Sequence, residues 1–311
     1  MKSYVVVGAG PVGTAVAEQL LDRGDEVVVV TRSGSGPERA HRVAADAADA
    51  DALTSVAADA AALFNCANPL YYRWSVDWPP MAQAMLAAAE RTGAVLAIAS
   101  NLYGYGDVFG AGVCSVDKPM TPDLPLTADF TKAQVRAQMW RDALAAHEAG
   151  RVRAVEVRGA DYVGAGEQSQ LDRVLPAVLA GKKARTLGDP DQPHSWTYTG
   201  DMARTLVAAA DSEAAWGRPW HALVASDDSQ RQALTRAAEL AGVPTPKIAP
   251  LPMWQVRLAG RFNKMVAELP EVAYQVAGPF VSDDSETRAA LDLRPTPWDE
   301  VLRRSLAALG R

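Results

Sequence analysis

The feature that most constrains this chain is a strand, a glycine turn and a helix at its N-terminus. Tyr4-Val5-Val6-Val7 is a β-branched apolar run, and Gly8-Ala9-Gly10-Pro11-Val12-Gly13 follows it at once. An amphipathic helix then continues to Arg23 and the helix-ending Gly24, before Glu26-Val27-Val28-Val29-Val30 reads as a second buried strand. Strand, helix and strand within about thirty residues make a βαβ unit. Each glycine has a physical task there. Gly8 permits the tight turn, Gly10 lets backbone N–H groups approach a pyrophosphate at the positive end of the helix that Pro11 and Val12 open, and Gly13 allows close packing of helix on strand. In this context GxGxxG predicts a dinucleotide cradle rather than a plain turn. Lys2 and the uncharged residues 3–17 imitate a secretory leader, but three glycines, a proline and an unbroken run into the helix favour the folded reading.

The alternation continues through strands near Arg42-Val43-Ala44, Ala62-Leu63-Phe64-Asn65, 95–99 and 152–157, with helices near 49–59, 78–92 and 127–148. This rhythm predicts an α/β fold, a Rossmann doubly wound parallel sheet, with a smaller, discontinuous C-terminal substrate domain. We place the dinucleotide-binding domain at residues 1–160 with a return near 194–224, and the substrate domain at 161–193 and 225–311. In the second half, helices are expected near 171–180, 201–210, 230–241, 254–267 and 296–309, and a strand near 195–199.

In NAD-selective members of this fold, the second strand ends in an acid that binds the ribose 2′-OH. Here it ends Val30-Thr31-Arg32-Ser33, a guanidinium between two hydroxyls, which favours the 2′-phosphate of NADP over NAD. A solvated arginine in a Gly/Ser loop is the plainer alternative.

Further along, the chain resembles the extended and atypical branch of the short-chain dehydrogenase/reductase superfamily, of NAD-dependent epimerase/dehydratase type. Asp46 is similar to that family's acidic residue by the adenine, and Asn65-Cys66-Ala67-Asn68-Pro69 to its fourth-strand cofactor loop. Ala99-Ser100-Asn101-Leu102-Tyr103-Gly104-Tyr105-Gly106 resembles its fifth-strand end with Tyr-Gly, and Arg158-Gly159-Ala160-Asp161-Tyr162-Val163-Gly164 its Arg-x-x-Asn segment. Trp196–Ala203 and Thr296-Pro297-Trp298 also fit. The resemblance implies cofactor contacts from Asn65, Cys66, Ala67, Ala99 and Ser100. Three departures stand out. The glycine motif is one residue shorter than the family's, Asn101 replaces a hydroxyl residue, and the catalytic Tyr-x-x-x-Lys is missing: its positions fall at Lys132 and Arg136.

The family's tyrosine moves a proton while a hydride moves to or from nicotinamide. Without it, Lys132 could donate a proton, stabilise an oxyanion, anchor an acidic substrate or grip the nicotinamide ribose, or else form with Arg136 two solvated charges on a helix surface. Tyr103 is the alternative acid, Asn101 can bond a carbonyl, and Tyr71, Tyr72, Trp74 and Trp78 could wall the nicotinamide end. The leading expectation is an NADP(H)-dependent oxidoreductase that reduces a carbonyl or imine of a small molecule. The alternatives are a sugar-nucleotide epimerase or dehydratase and a non-catalytic NADP(H)-binding regulator. A net charge of −6 without a basic block argues against nucleic acid, and no apolar run of roughly 18 residues predicts a membrane span. Two separated cysteines and four scattered histidines predict no disulfide scaffold and no metal site, and fit a cytoplasmic protein. A homodimer is left open.

Overall fold

The computed structural model describes residues 1–164, 166 and 169–310. Its elements in chain order are β1 (Ser3–Val7), α1 (Pro11–Asp22), β2 (Glu26–Thr31), β3 (His41–Ala44), α2 (Ala50–Val56), β4 (Ala60–Asn65), α3 (Trp74–Thr92), β5 (Val95–Asn101), α4 (Thr131–Glu148) and β6 (Arg153–Gly159). The second half adds β7 (Asp161–Val163), α5 (Leu175–Leu179), β8 (Ala184–Leu187), β9 (Trp196–Tyr198), α6 (Thr199–Asp211), β10 (Pro219–His221) and α7 (Gln230–Leu240). It closes with β11 (Ile248–Leu251), α8 (Met253–Gly260), α9 (Lys264–Ala267), α10 (Leu269–Val272), α11 (Ser285–Leu291) and α12 (Trp298–Ala308).

Among the described residues, seven parallel strands form the main sheet in the order β10-β6-β5-β4-β1-β2-β3. The valine runs are continuous because both faces are covered. Tyr4 and Val6 pack with Val16, Leu20, Met202 and Leu206 of α1 and α6, whereas Val5 and Val7 pack with Leu53, Trp78 and Met85 of α2 and α3. The chain winds one way from β1 to β3 and the other way from β4 to β6. The strand order therefore reverses between β1 and β4, where a crevice opens beyond the strand ends.

Four sequence expectations shift. The strand near 195–199 is β9, which pairs with β7 in a small separate ladder, while Pro219–His221 is the strand that joins the main sheet. The helix expected at 254–267 is two helices, because Asn263 leaves the helical conformation and caps α9 with Oδ1 bonds from Met265 N (2.9 Å) and Val266 N (3.3 Å). α3 starts earlier than expected, at Trp74, and contains Pro79 and Pro80. Within 171–180 only Leu175–Leu179 is α-helix.

The second half is tied to the first by buried polar contacts. Asp201, fully buried on α6, accepts from Thr296 N (2.8 Å) and Thr296 Oγ1 (2.6 Å) and so fixes the start of α12. At the sheet edge, Arg158 donates to Glu156 (2.6 Å) and to the Tyr105 hydroxyl (2.7 Å), and that hydroxyl lies 2.9 Å from His221 Nε2. Its ring Nδ1 is 2.9 Å from the Asp283 carbonyl, which can only accept, so Nδ1 carries the hydrogen and Nε2 accepts from Tyr105. Burial pushes the His221 pKa down from 6.5 to about 3 against the Asp283 hydrogen bond, and the Arg158 charge adds to the effect.

The sign of the pH effect follows. The folded state keeps His221 neutral while the unfolded chain takes up a proton below pH 6.5, so this contribution is complete above that value and is lost as pH falls toward 3. Between pH 7 and 5 the loss should be about 2 kcal/mol. Denaturant titrations of wild type and His221→Gln across that range should show a shallower pH slope in the variant. Equal slopes would mean that His221 takes up its proton in the folded protein as readily as in the unfolded chain.

Candidate active site and cofactor cradle

The turn after β1 is shaped by contacts that admit no side chain. Gly8 has φ +102°, and a Cβ there would lie 2.7 Å from the Cys66 carbonyl oxygen and from Ala67 Cα. A Cβ on Gly13 would lie 2.0 Å from the Gly8 carbonyl oxygen. Gly10 is different: its backbone is ordinary (φ −72°), and nothing lies within 4 Å of the place a Cβ would take. Gly10 makes no side-chain cap, Pro11 has no N–H, and the first turn holds no acidic residue, so the Val12 and Gly13 amides face that open space without intrahelical partners. Space, partial positive charge and free donors are what a pyrophosphate requires, so these residues fit a dinucleotide.

At the end of β2, Arg32 is exposed and makes no hydrogen bond or ion pair among the described residues. Thr31 and Ser33 are not similarly free. The Thr31 hydroxyl donates to the Ser35 carbonyl (2.9 Å), and the Ser33 hydroxyl donates to the Ser35 hydroxyl (3.0 Å). Asp46 is exposed beyond β3, with Oδ1 accepting from Ala48 N (3.0 Å).

Cys66 and Ala67 form the back of the glycine turn, and burial pushes the Cys66 thiol up to about 12. The Asn65 side chain lies on the opposite face of β4, lining a small cavity with Leu86 and Met139, and its Oδ1 has no hydrogen-bond partner among the described residues. The Ala99 carbonyl accepts from Arg136 Nη1 (3.1 Å), and the Ser100 carbonyl from the Tyr162 hydroxyl (2.8 Å). Asn101 uses Oδ1 to cap the turn that follows, accepting from Tyr103 N (3.2 Å).

Lys132 and Arg136 are not solvated: both are buried. The Arg136 guanidinium lies 4.6 Å from the ring centroids of both Trp74 and Trp78, and burial holds its pKa below the usual arginine value. Lys132 Nζ bonds Glu268 and Glu271 and stands 4.7 Å from the centroid of the Tyr71 ring. The Tyr71 and Tyr103 hydroxyls share a 2.7 Å hydrogen bond, and Trp74 packs against both rings. Thus three of the four expected catalytic side chains converge around Tyr71, while Asn101 is spent on a turn. Tyr72 stays at the surface.

Burial raises the Tyr103 pKa to about 12, and the Asp161 charge adds to it. Tyr71 is raised further, again mainly by burial and then by Tyr103. Several residues of this cluster were outside the sequence expectations. Glu268 and Glu271, three residues apart in the α9–α10 segment, belong to no motif. Asp161 accepts or shares a hydrogen bond with His194 Nε2 at 2.7 Å, and His194 stacks on Phe280. The buried Tyr274 hydroxyl lacks a hydrogen-bond partner among the described residues. Only Asp161 had a signal available, its place in the Arg158–Gly164 motif.

Comparison with known proteins places this geometry in context. Structures similar over the full length include UDP-N-acetylglucosamine 4-epimerase from Methanobrevibacter ruminantium, 15% identical with TM-score 0.80, covering 99% of this chain and 98% of that one. UDP-glucose 4-epimerase from Thermus thermophilus in complex with NAD is 18% identical with TM-score 0.76, covering 98% of each chain. dTDP-glucose 4,6-dehydratase from Bacillus anthracis in complex with NAD is 12% identical with TM-score 0.76, covering 100% of this chain and 97% of that one. At such identities the likeness speaks for the fold. No protein of curated function matches the sequence closely enough to count as a relative. The NAD dependent epimerase/dehydratase family model matches residues 4–222, from β1 through β10, and with that span of the chain the protein belongs to this family.

Proposed function

We propose that this member of a family of NAD-dependent enzymes is an NADP(H)-dependent oxidoreductase that reduces a carbonyl or imine of a small molecule without a Tyr-x-x-x-Lys pair. One observation carries the reading: the helix position of the family's tyrosine holds Lys132, clasped by two carboxylates, while the nearby hydroxyl is that of Tyr103, kept protonated by burial. The dinucleotide supplies the hydride when bound. Gly10 and the Val12 and Gly13 amides hold its pyrophosphate, and Arg32 meets the 2′-phosphate. Tyr103 gives its proton to the substrate oxygen or nitrogen as negative charge develops there. Tyr71 keeps its hydrogen bond to Tyr103 and so orients that hydroxyl, and Lys132, held by its two carboxylates, packs over the Tyr71 ring. Arg136 braces β5 through the Ala99 carbonyl.

A second reading, a sugar-nucleotide epimerase or dehydratase using NAD, is favoured by the similar structures, which are enzymes of UDP- and dTDP-sugars. Oxidising a sugar hydroxyl first requires a base. A tyrosine with its pKa at about 12 is protonated at neutral pH and does not supply one. Incubation with NADPH and a panel of ketones, aldehydes and imines, beside UDP- and dTDP-sugars with NAD, separates the two. Net NADPH consumption supports the reductase, whereas sugar interconversion without net cofactor change supports the epimerase and overturns it.

Three variants test the assignments. Gly10→Val should abolish dinucleotide binding in calorimetry with an unchanged circular dichroism spectrum, because the fold has room for the side chain and the ligand does not. Arg32→Ala should weaken NADP(H) much more than NAD(H); wild-type protein that prefers NAD(H), with no change in the variant, would remove Arg32 from the site. Tyr103→Phe should lower kcat by about 10²–10⁴ with little change in cofactor affinity. Wild-type turnover in that variant would transfer the proton donor to Lys132, where Lys132→Met should then carry the loss.

A further inference from the structure

Outside the nucleotide cradle, the largest anomaly of the surface is the helical hairpin of α8 and α9. Trp254 is 63% exposed, Phe262 89%, Leu258 49% and Met265 44%, so four large apolar side chains stand at the surface within twelve residues. Trp254 and Leu258 stand one turn apart on one face of α8, while Val256 on the opposite face is buried. Phe262 projects from the hairpin tip, and α8 is packed on α9 so closely that a Cβ on Gly260 would lie 2.9 Å from Ala267 Cα. The apolar face is therefore presented by a rigid element. Lys264 Nζ lies 5.5 Å from the centroid of the half-exposed Tyr72 ring, which extends the face toward α3.

Charge identifies what covers it. Between Glu239 and Glu268 the sequence has four basic residues, Lys247, Arg257, Arg261 and Lys264, and no acidic one, in a chain whose net charge is −6. Arg257, Arg261 and Lys264 are exposed beside Trp254, Leu258 and Phe262, and none of the three forms an ion pair among the described residues. A second copy of an acidic chain would bring little to neutralise them at a matching face. A lipid surface offers both complements at once, acyl chains for the aromatic and aliphatic tip and anionic headgroups for the cations. Among the described residues no helix is long and apolar enough to cross a membrane, so the contact would be interfacial.

We propose that the α8–α9 hairpin docks this enzyme on an anionic lipid surface, with Trp254, Leu258, Phe262 and Met265 entering the headgroup boundary and Arg257, Arg261 and Lys264 pairing with lipid charge. The docking face adjoins the segment whose Glu268 and Glu271 hold Lys132. The proposal does not depend on which reaction the site performs.

Co-sedimentation of the full chain with vesicles of phosphatidylcholine alone, or with one third phosphatidylserine, tests it. Binding should be strong only on the anionic vesicles, fall with added salt, and weaken at least about tenfold in Trp254→Ser/Phe262→Ser and in Arg257→Glu/Arg261→Glu. The substituted side chains are exposed, so both variants should keep the wild-type thermal transition and cofactor affinity. Absence of binding to anionic vesicles, or binding unchanged in both double variants, overturns the proposal. So does a wild-type dimer in ultracentrifugation that becomes monomeric in Trp254→Ser/Phe262→Ser, which would assign the face to a second copy.

Discussion

Two positive charges buried one helical turn apart on α4 organise everything around the site. A buried cation without partners is costly, and the fold meets that demand differently for each. Arg136 is a planar, weakly hydrated ion that tolerates aromatic faces, and it takes Trp74, Trp78 and the Ala99 carbonyl. Lys132 is a compact, strongly hydrated ion that needs oxygen, and the nearest source is the far end of the chain, Glu268 and Glu271. The position of the α9–α10 segment is thus bound to the identity of one side chain on α4. A tyrosine at that position would place no such demand on the C-terminal segment.

How much of this was legible in the sequence depends on the range of the interactions involved. The βαβ opening was readable because valine runs, glycine spacing and helix periodicity are local signals, and the close contacts at Gly8 and Gly13 and the open space at Gly10 agree with them. The break between α8 and α9 was not, since Trp254–Ala267 keeps a helical apolar rhythm and only the Asn263 cap ends it. The burial of Lys132 and Arg136 was also hidden. Two cations at helical spacing look like a solvated face, and what buries them is supplied by Trp74 and Trp78 from α3 and by carboxylates 136 and 139 residues away. The role of Asn101 was obscured for a different reason: an amide can cap a turn or bind a ligand, and composition does not distinguish them.

The C-terminal half also explains how β5 and β6 hold their ends in register beside the crevice. Tyr105, Arg158, Glu156 and His221 come from a turn and two strands, and hydrogen bonds join them into one chain. Tyr162, directly after Asp161, ties β7 back to the Ser100 carbonyl. These bonds consume backbone oxygens at the end of β5 that a small ligand could otherwise engage. Among the described residues, Asn65 Oδ1, Trp78 Nε1, Arg136 Nε and the Tyr274 hydroxyl are buried without hydrogen-bond partners, and the space at Gly10 stays open.

The protonation states of the tyrosines around the site share one physical cause. Burial acts on Tyr71, Tyr103, Tyr162 and Tyr274 in the same sense, raising each, and the Asp161 carboxylate adds its charge to all four. A cluster of phenols so placed stores protons. It can hand one to an alkoxide, which is a far stronger base than a phenolate, but at neutral pH it offers no phenolate to begin an oxidation. In the family's pattern, a lysine beside the tyrosine counteracts this by stabilising the phenolate. Here Lys132 is already neutralised by two carboxylates, so little of its charge is left to lower the pKa values of the hydroxyls around it. The same two carboxylates that make burial of Lys132 tolerable thus also remove positive field from the tyrosines beside it.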